Sequence, residues 1–158
     1  MKNMLLFLMM FCAINSFGAP YNQKTAKILA QLDSILPLRG QYEQNKLLRI
    51  ESYKEAASKR TSDEERFWDY SKLYSEYFTY DSDSAHKYVD LNLSIAQKLG
   101  NPDWETEWNI KKGMLLVNTG FLAQADRLSK EIRTSLTEDH KVEFYDFMFA
   151  LYMRLAQY

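Results

Sequence analysis

His86 and His140 are the only histidines of this 158-residue chain, and Cys12 is its only cysteine. Neither histidine belongs to a His-x-x-x-His pair, and a zinc site with almost no thiolate available would have to be mostly carboxylate, so the spacing offers no metal centre. Asp81 and Asp83 have the Asp-x-Asp spacing that opens a calcium loop. That loop needs glycine sixth and a bidentate glutamate twelfth, and the chain has His86 and Asn92 there. Asp63, Glu64 and Glu65 could supply an acid and a base. Ser62 followed by Glu65 is a capping box, however, and the field at a helix start accounts for all three acids. The chain shows no glycine-rich phosphate loop and no serine between glycines. These residues point away from an enzyme and call for no metal and no cofactor.

What remains for recognition is aromatic. The segment from Phe67 to Tyr80 carries Phe67, Trp68, Tyr70, Tyr74, Tyr77, Phe78 and Tyr80. At helical spacing Phe67, Tyr70, Tyr74 and Tyr77 share one face, while Leu73 and Phe78 lie off it. Two readings follow. The helix buries two sides in a core, or the four rings line a groove that holds a ligand or a partner.

The elements that must position these rings are helical. From Lys24 to Leu36 the apolar residues fall at spacings of three and four, and Pro37 stops the run. A second helix is predicted from Gln41 to about Lys59, with a thin apolar stripe. Ser62 caps a third, which runs to Tyr80. Asp81 to Ser84 caps a fourth, which runs through Ala85 to Leu99 and closes at Gly100. Asn101 as cap and Pro102 at the first position open a fifth, from Asp103 to Asn118. The last runs from Val142 to Tyr158. No long segment alternates at a period of two.

Composition sets the class. With 46% hydrophobic and 15% aromatic residues the chain is no disordered polymer. A formal charge of −1 leaves no basic face for nucleic acid. At the N-terminus Lys2, the apolar run Met4 to Ile14 and the small-residue end Ser16-Phe17-Gly18-Ala19 form a secretory signal. The run is shorter than the about 20 residues a membrane-spanning helix needs. Cleavage after Gly18 removes Cys12 and Lys2, taking the formal charge from −1 to about −2. The organisation expected is a signal peptide over 1–18, an N-terminal helical segment over 20–60, and helical repeats over 61–158 with the last incomplete.

The repeat is clearest from Lys112 to Ile132. Gly113 interrupts an apolar helix, where a glycine allows close approach by another helix. Gly120 supplies the left-handed cap and Phe121 begins the return. Ala125 is the small residue of the second helix, and Ala85 stands 40 residues before it in the same role. Tyr74 stands near the place of Gly113. The order Gly113, Leu116, Gly120, Phe121, Ala125 resembles the tetratricopeptide repeat, in which Gly113 and Ala125 mark the tight contact within a hairpin.

With Ser82-Asp83-Ser84-Ala85, the run Ala96 to Pro102, and Glu143 to Tyr158, the chain resembles a family of exported tetratricopeptide regulators. The resemblance implies an all-α fold, a TPR-like α-solenoid of stacked hairpins. In that family a signal peptide precedes a periplasmic array, followed by a transmembrane helix, a coiled coil and a cytoplasmic regulatory end. It implies a periplasmic, protein- or peptide-binding sensor module, of which this chain is the N-terminal part. A soluble receptor for a small ligand is the alternative. Ala85, Gly100, Gly113, Leu116, Gly120 and Ala125 are the structural repeat positions. Phe144, Met148, Leu151 and Leu155 share one face of the last helix and Tyr145, Phe149 and Tyr152 another, which points to self-association through that helix or to a covering segment.

Overall fold

A computed structural model describes residues 22–157, so the leader with Lys2 and Cys12, and Tyr158, lie outside the described residues. The described residues form seven α-helices and two short 3-10 turns, and no strand. In chain order they are α1 (Gln23–Ile35), α2 (Arg39–Lys59), α3 (Asp63–Tyr77), α4 (Ser82–Leu99), α5 (Pro102–Asn118), α6 (Leu122–Ser135) and α7 (Lys141–Leu155). Contacts divide the chain within α2, into a unit ending at Gln44 and a unit from Asn45 onward.

In the first unit Asn22 caps α1 by accepting from the Thr25 amide at 2.8 Å. Pro37 ends the α-helix as expected, but through a 3-10 turn, Leu36–Leu38, which leads directly into α2. None of the residues of α1 is buried.

In the second unit the array begins before residue 61. Ile50 and Ala57 of α2 are buried, and Ile50 joins the same core as Phe67 and Leu73. Ion pairs flank the thin apolar stripe: Arg49 grips Glu76 at 2.7 and 3.1 Å, and Lys46 adds a contact at 3.7 Å. From α3 onward the helices pair in sequence order. α4 packs on both α3 and α5, α6 on α5 and α7, and α5 also on α7. Trp108 and Leu115 of α5 face one core, whereas Ile110, Leu116 and Val117 face the next. Helix α5 is therefore shared between two hydrophobic layers, as a stacked array requires.

Local chemistry sets the ends of these helices. Ser62 accepts from the Glu65 amide at 3.1 Å, Asp81 from the amides of Asp83 and Ser84, and Asn101 from the Trp104 amide at 3.1 Å. Only half of the expected capping box forms at α3, because the Glu65 carboxylate turns to Arg60 at 3.5 Å. Gly100 at φ 61° and Gly120 at φ 84° are left-handed caps. At each the next amide reaches back five residues, Asn101 to the Ala96 carbonyl at 3.0 Å and Phe121 to that of Leu116 at 2.8 Å. Helix α3 stops at Tyr77 rather than Tyr80, since Phe78 to Tyr80 turn to free the Asp81 cap.

Two buried polar groups tie α3 to its neighbours. Asn92, fully buried in α4, donates to the Phe67 carbonyl and accepts from Ser71 Oγ, each at 3.2 Å. It stands where a calcium loop would need a ligand and serves instead as a clasp between helices. Asp69, 2% exposed, accepts from Arg60 Nε at 2.8 Å and from Lys72 at 3.3 Å. Burial alone would raise the Asp69 pKa, but the two cations and their hydrogen bonds outweigh it and hold it below the ordinary carboxylate value. A folded pKa below the unfolded one gives stability that is complete above the unfolded value of about 3.9 and disappears as pH falls through the folded value. Asp69→Asn should therefore cost about 1 to 3 kcal/mol in urea unfolding at neutral pH, and the deficit should shrink under acid. A deficit that stays constant as the pH falls below the carboxylate range would refute that account.

Candidate functional site

The four aromatic candidates belong to the core. Phe67 is 1% exposed, and Tyr74 and Tyr77 are buried with it. Phe67 stacks on Trp104 at 4.0 Å between centroids, and Tyr77 stacks on Tyr88 at 5.7 Å. Tyr74 meets Trp108 edge-on at 5.2 Å, and burial raises the pKa of its hydroxyl. Only Tyr70 keeps partial exposure, and it tilts against Tyr88. These side chains hold α3 to α4 and α5 and leave little surface for a partner.

The repeat positions occupy the joints of the array. Ala85 and Ala125 are fully buried at the starts of α4 and α6, and Leu116 is buried in α5. Gly113 is also buried. A Cβ there would stand 2.5, 2.7 and 2.9 Å from three ring atoms of Phe147, so glycine lets α7 approach α5. The first helices repeat at 39 residues, as their caps Ser62, Asn101 and His140 show. Moving the Tyr74–Trp108 contact forward by that spacing gives Gly113 and Phe147. The same joint is made once by two large rings and once by a ring on a glycine.

The same register exposes a surface that the sequence reading missed. On α5 the residues Trp104, Glu107, Lys111, Met114 and Asn118 follow one another at three and four and are all at least partly exposed. Thirty-nine residues earlier α3 presents Glu65, Trp68, Lys72 and Ser75, and the turn after it Thr79, all exposed; 39 later α7 presents Glu143, Asp146 and Ala150. The stripes adjoin. Trp68, 55% exposed, meets Trp104 edge-on at 5.7 Å between α3 and α5. Both lysines are engaged, Lys72 with Asp69 and Lys111 with Glu107, while Lys111 also sits 5.2 Å over the Trp108 ring. Carboxylates outnumber lysines on these stripes, so the surface is aromatic and mildly acidic. Lys72 and Lys111 recurring at 39 residues was the available signal, masked by the 40-residue spacing of the two alanines.

Larger clefts open elsewhere among the described residues. One of about 430 Å³ lies between the start of α5 and the end of α6, with Asp103, Glu105 and Glu131 above a floor of Leu128 and Ile132. Its edge is tied to α7 by His140 Nε2, 2.8 Å from Asp103 Oδ1. The other, about 540 Å³, lies at the hairpin turns beside Tyr80, His86 and Phe121. None of the four aromatic candidates lines either cleft. Among the described residues no group of three or more His, Cys, Asp or Glu could hold a metal ion, and no helix is long and apolar enough to cross a membrane.

Comparison with known proteins agrees with this architecture. Neither the curated proteins nor the solved structures returned a match. Residues 36–158 match the family model described as the SusR N-terminal TPR domain, a span that takes in α2 to α7. The chain belongs to the SusR N-terminal TPR domain family.

Proposed function

We propose that this chain is the interaction module of an exported signalling regulator, and that it holds a protein segment along the adjoining stripes of α3, α5 and α7. The observation that carries this reading is the Trp68–Trp104 pair. A ring more than half exposed beside a second ring across a helix joint offers the aromatic residues in which interaction surfaces are enriched. Tetratricopeptide arrays serve in general as protein-interaction modules, and stacked hairpins supply an extended surface of the right kind. The excess of Glu65, Glu107, Glu143 and Asp146 over Lys72 and Lys111 favours a segment that places basic residues beside apolar ones.

Peptide-array binding tests this directly. Trp68→Ala should lose at least about tenfold in affinity for the peptides selected, the loss expected for a buried aromatic anchor. Tyr70→Ala should change affinity little. Undiminished binding by Trp68→Ala together with Glu107→Ala would remove this surface from the function. Export rests on the leader, and the family layout would place the array in the periplasm. A reporter enzyme active only outside the cytoplasm, fused after Ala19, should be active with the native leader and inactive with Leu6→Arg. Equal activity from both fusions would defeat the export reading.

A further inference from the structure

We infer that the cleft between the start of α5 and the end of α6 is a binding site for a small organic ammonium ion whose body is a single flat ring. The cleft has a volume of about 430 Å³. Small-molecule pockets run from roughly 300 to 1,000 Å³. None of the residues of the stripes on α3, α5 and α7 lines it, so the inference does not rest on the function proposed for that surface.

The cleft exists because two successive hairpins fill the same joint differently. In the first hairpin Phe67 and Tyr70 of α3 lie with Tyr88, Leu91 and Ile95 of α4 in or against one core. The Tyr70 and Tyr88 rings close that joint from its two sides, with 5.6 Å between centroids. Thirty-nine residues on along the first helices, and 40 on along the second, the same positions hold Thr106, Asn109, Leu128, Glu131 and Ser135. All five line the cleft. Three rings and two branched aliphatic side chains have given way to one leucine and four polar side chains, and the space stays open. Its floor, Leu128 with Ile132, is still apolar. A planar ring laid on that floor takes the place of the missing tyrosines and buries apolar surface that the second hairpin leaves uncovered.

Charge decides what the ring must carry. Asp103, Glu105 and Glu131 stand around the cleft, and no lysine or arginine lines it. In the first hairpin Arg66 and Leu91 occupy the places of Glu105 and Glu131, so the acidity is particular to this joint. Two of the carboxylates are held by donors from neighbouring elements: Asp103 accepts from His140 Nε2 at 2.8 Å, and Glu105 from Gln97 Nε2 at 3.1 Å. Each keeps a second oxygen for a ligand, and an ammonium group meets acceptors whose positions are already set. An anion would meet three like charges in the same place.

Isothermal titration calorimetry of the purified protein tests the site with three probes. Tyramine carries both a ring and an ammonium group and should bind. 4-Hydroxyphenylacetate presents the same ring with a carboxylate, and should bind at least about tenfold more weakly because it sets like charges together. Ethanolamine keeps the ammonium group without the ring, and should lose at least about tenfold through the apolar contact it cannot make. Asn109→Tyr restores the ring that the register places at Tyr70, and should abolish tyramine binding while the far-UV spectrum stays that of the wild type. Glu131→Lys, at an exposed position, should weaken tyramine at least about tenfold and leave the core untouched; it decides the matter even if Asn109→Tyr fails to fold. Trp68→Ala should leave tyramine affinity unchanged, so this site and the interaction surface stand or fall separately. Absence of tyramine binding at millimolar concentration overturns the inference, as does equal affinity for either of the other probes or binding undiminished by Glu131→Lys. Loss of tyramine binding in Trp68→Ala also overturns it, since the probe would then sit on the aromatic stripe and not in the cleft.

Discussion

Gly113→Ala should lower stability by about 1 to 2 kcal/mol, although alanine is the better helix former by about 1 kcal/mol. The added methyl meets the Phe147 ring at 2.5 to 2.9 Å, closer than carbon atoms approach. The ring cannot easily yield, because Phe147 is fully buried with Phe144, Ile110 and Leu151 around it. Either α7 moves off α5 or the ring leaves its rotamer, and both loosen the second core. Gly113→Leu should cost more, about 3 kcal/mol or above, since no local shift makes room for a branched side chain. The contact is tested by relief. Phe147→Leu is itself destabilising in the wild type, but in the Gly113→Ala background it should restore part of the loss, giving a coupling of at least about 1 kcal/mol by chemical denaturation. Strict additivity of the two substitutions would show that Gly113 serves some purpose other than admitting Phe147.

This result bears on how such arrays vary their spacing. At the α3–α5 joint Tyr74 faces Trp108, and the helices meet chiefly through their rings. At the α5–α7 joint the equivalent positions are Gly113 and Phe147, and the backbones come close. The array thus contains a wide joint and a narrow one between successive first helices. The wide joint keeps Trp68 and Trp104 side by side at the surface, where a closer approach would leave no room for both.

Much of this fold could be read from residues whose effect is local. Ser62, Asp81, Asn101, Gly100 and Gly120 mark helix ends because a cap needs only its own turn, and each stands where its chemistry placed it. The interaction surface was harder to find. The segment of α3 and its C-cap carries Phe67, Trp68, Tyr70, Leu73, Tyr74, Tyr77 and Phe78, so apolar side chains lie on nearly every side and periodicity cannot say which of them face inward. Register could have decided it, but helix α5 with its turn runs one residue longer before α6 begins than α3 with its turn does before α4. The second helices therefore repeat at 40 and the first at 39, and an alignment anchored on Ala85 and Ala125 places Leu73 rather than Tyr74 opposite Gly113. One residue of shift turns a helix by about 100°, enough to exchange a core face for an open one.

Neighbouring residues in α3 should therefore behave in opposite ways, and that contrast is the strongest test of the division between core and surface. Phe67→Ala should destabilise by about 3 to 5 kcal/mol, because it removes a fully buried ring from a closed cluster. Its stack on Trp104 at 4.0 Å and its edge contact with Trp108 at 5.7 Å are lost together. The cavity lies beneath the Asn92 clasp, whose bond to the Phe67 carbonyl then spans a loosened turn. Trp68→Ala, one position on, removes a larger side chain yet should cost only about 1 kcal/mol, since the ring is 55% exposed and what it loses is edge contact with Phe67 and Trp104. In urea titrations the midpoint should fall steeply for the first variant and slightly for the second, with partner affinity measured well below either midpoint. Phe67→Ala that remains folded there should still bind, whereas Trp68→Ala should be stable and silent. The reverse order of costs would mean that α3 is rotated from the setting described, with Phe67 on the surface and Trp68 in the core, and the proposed interaction surface would fall with it.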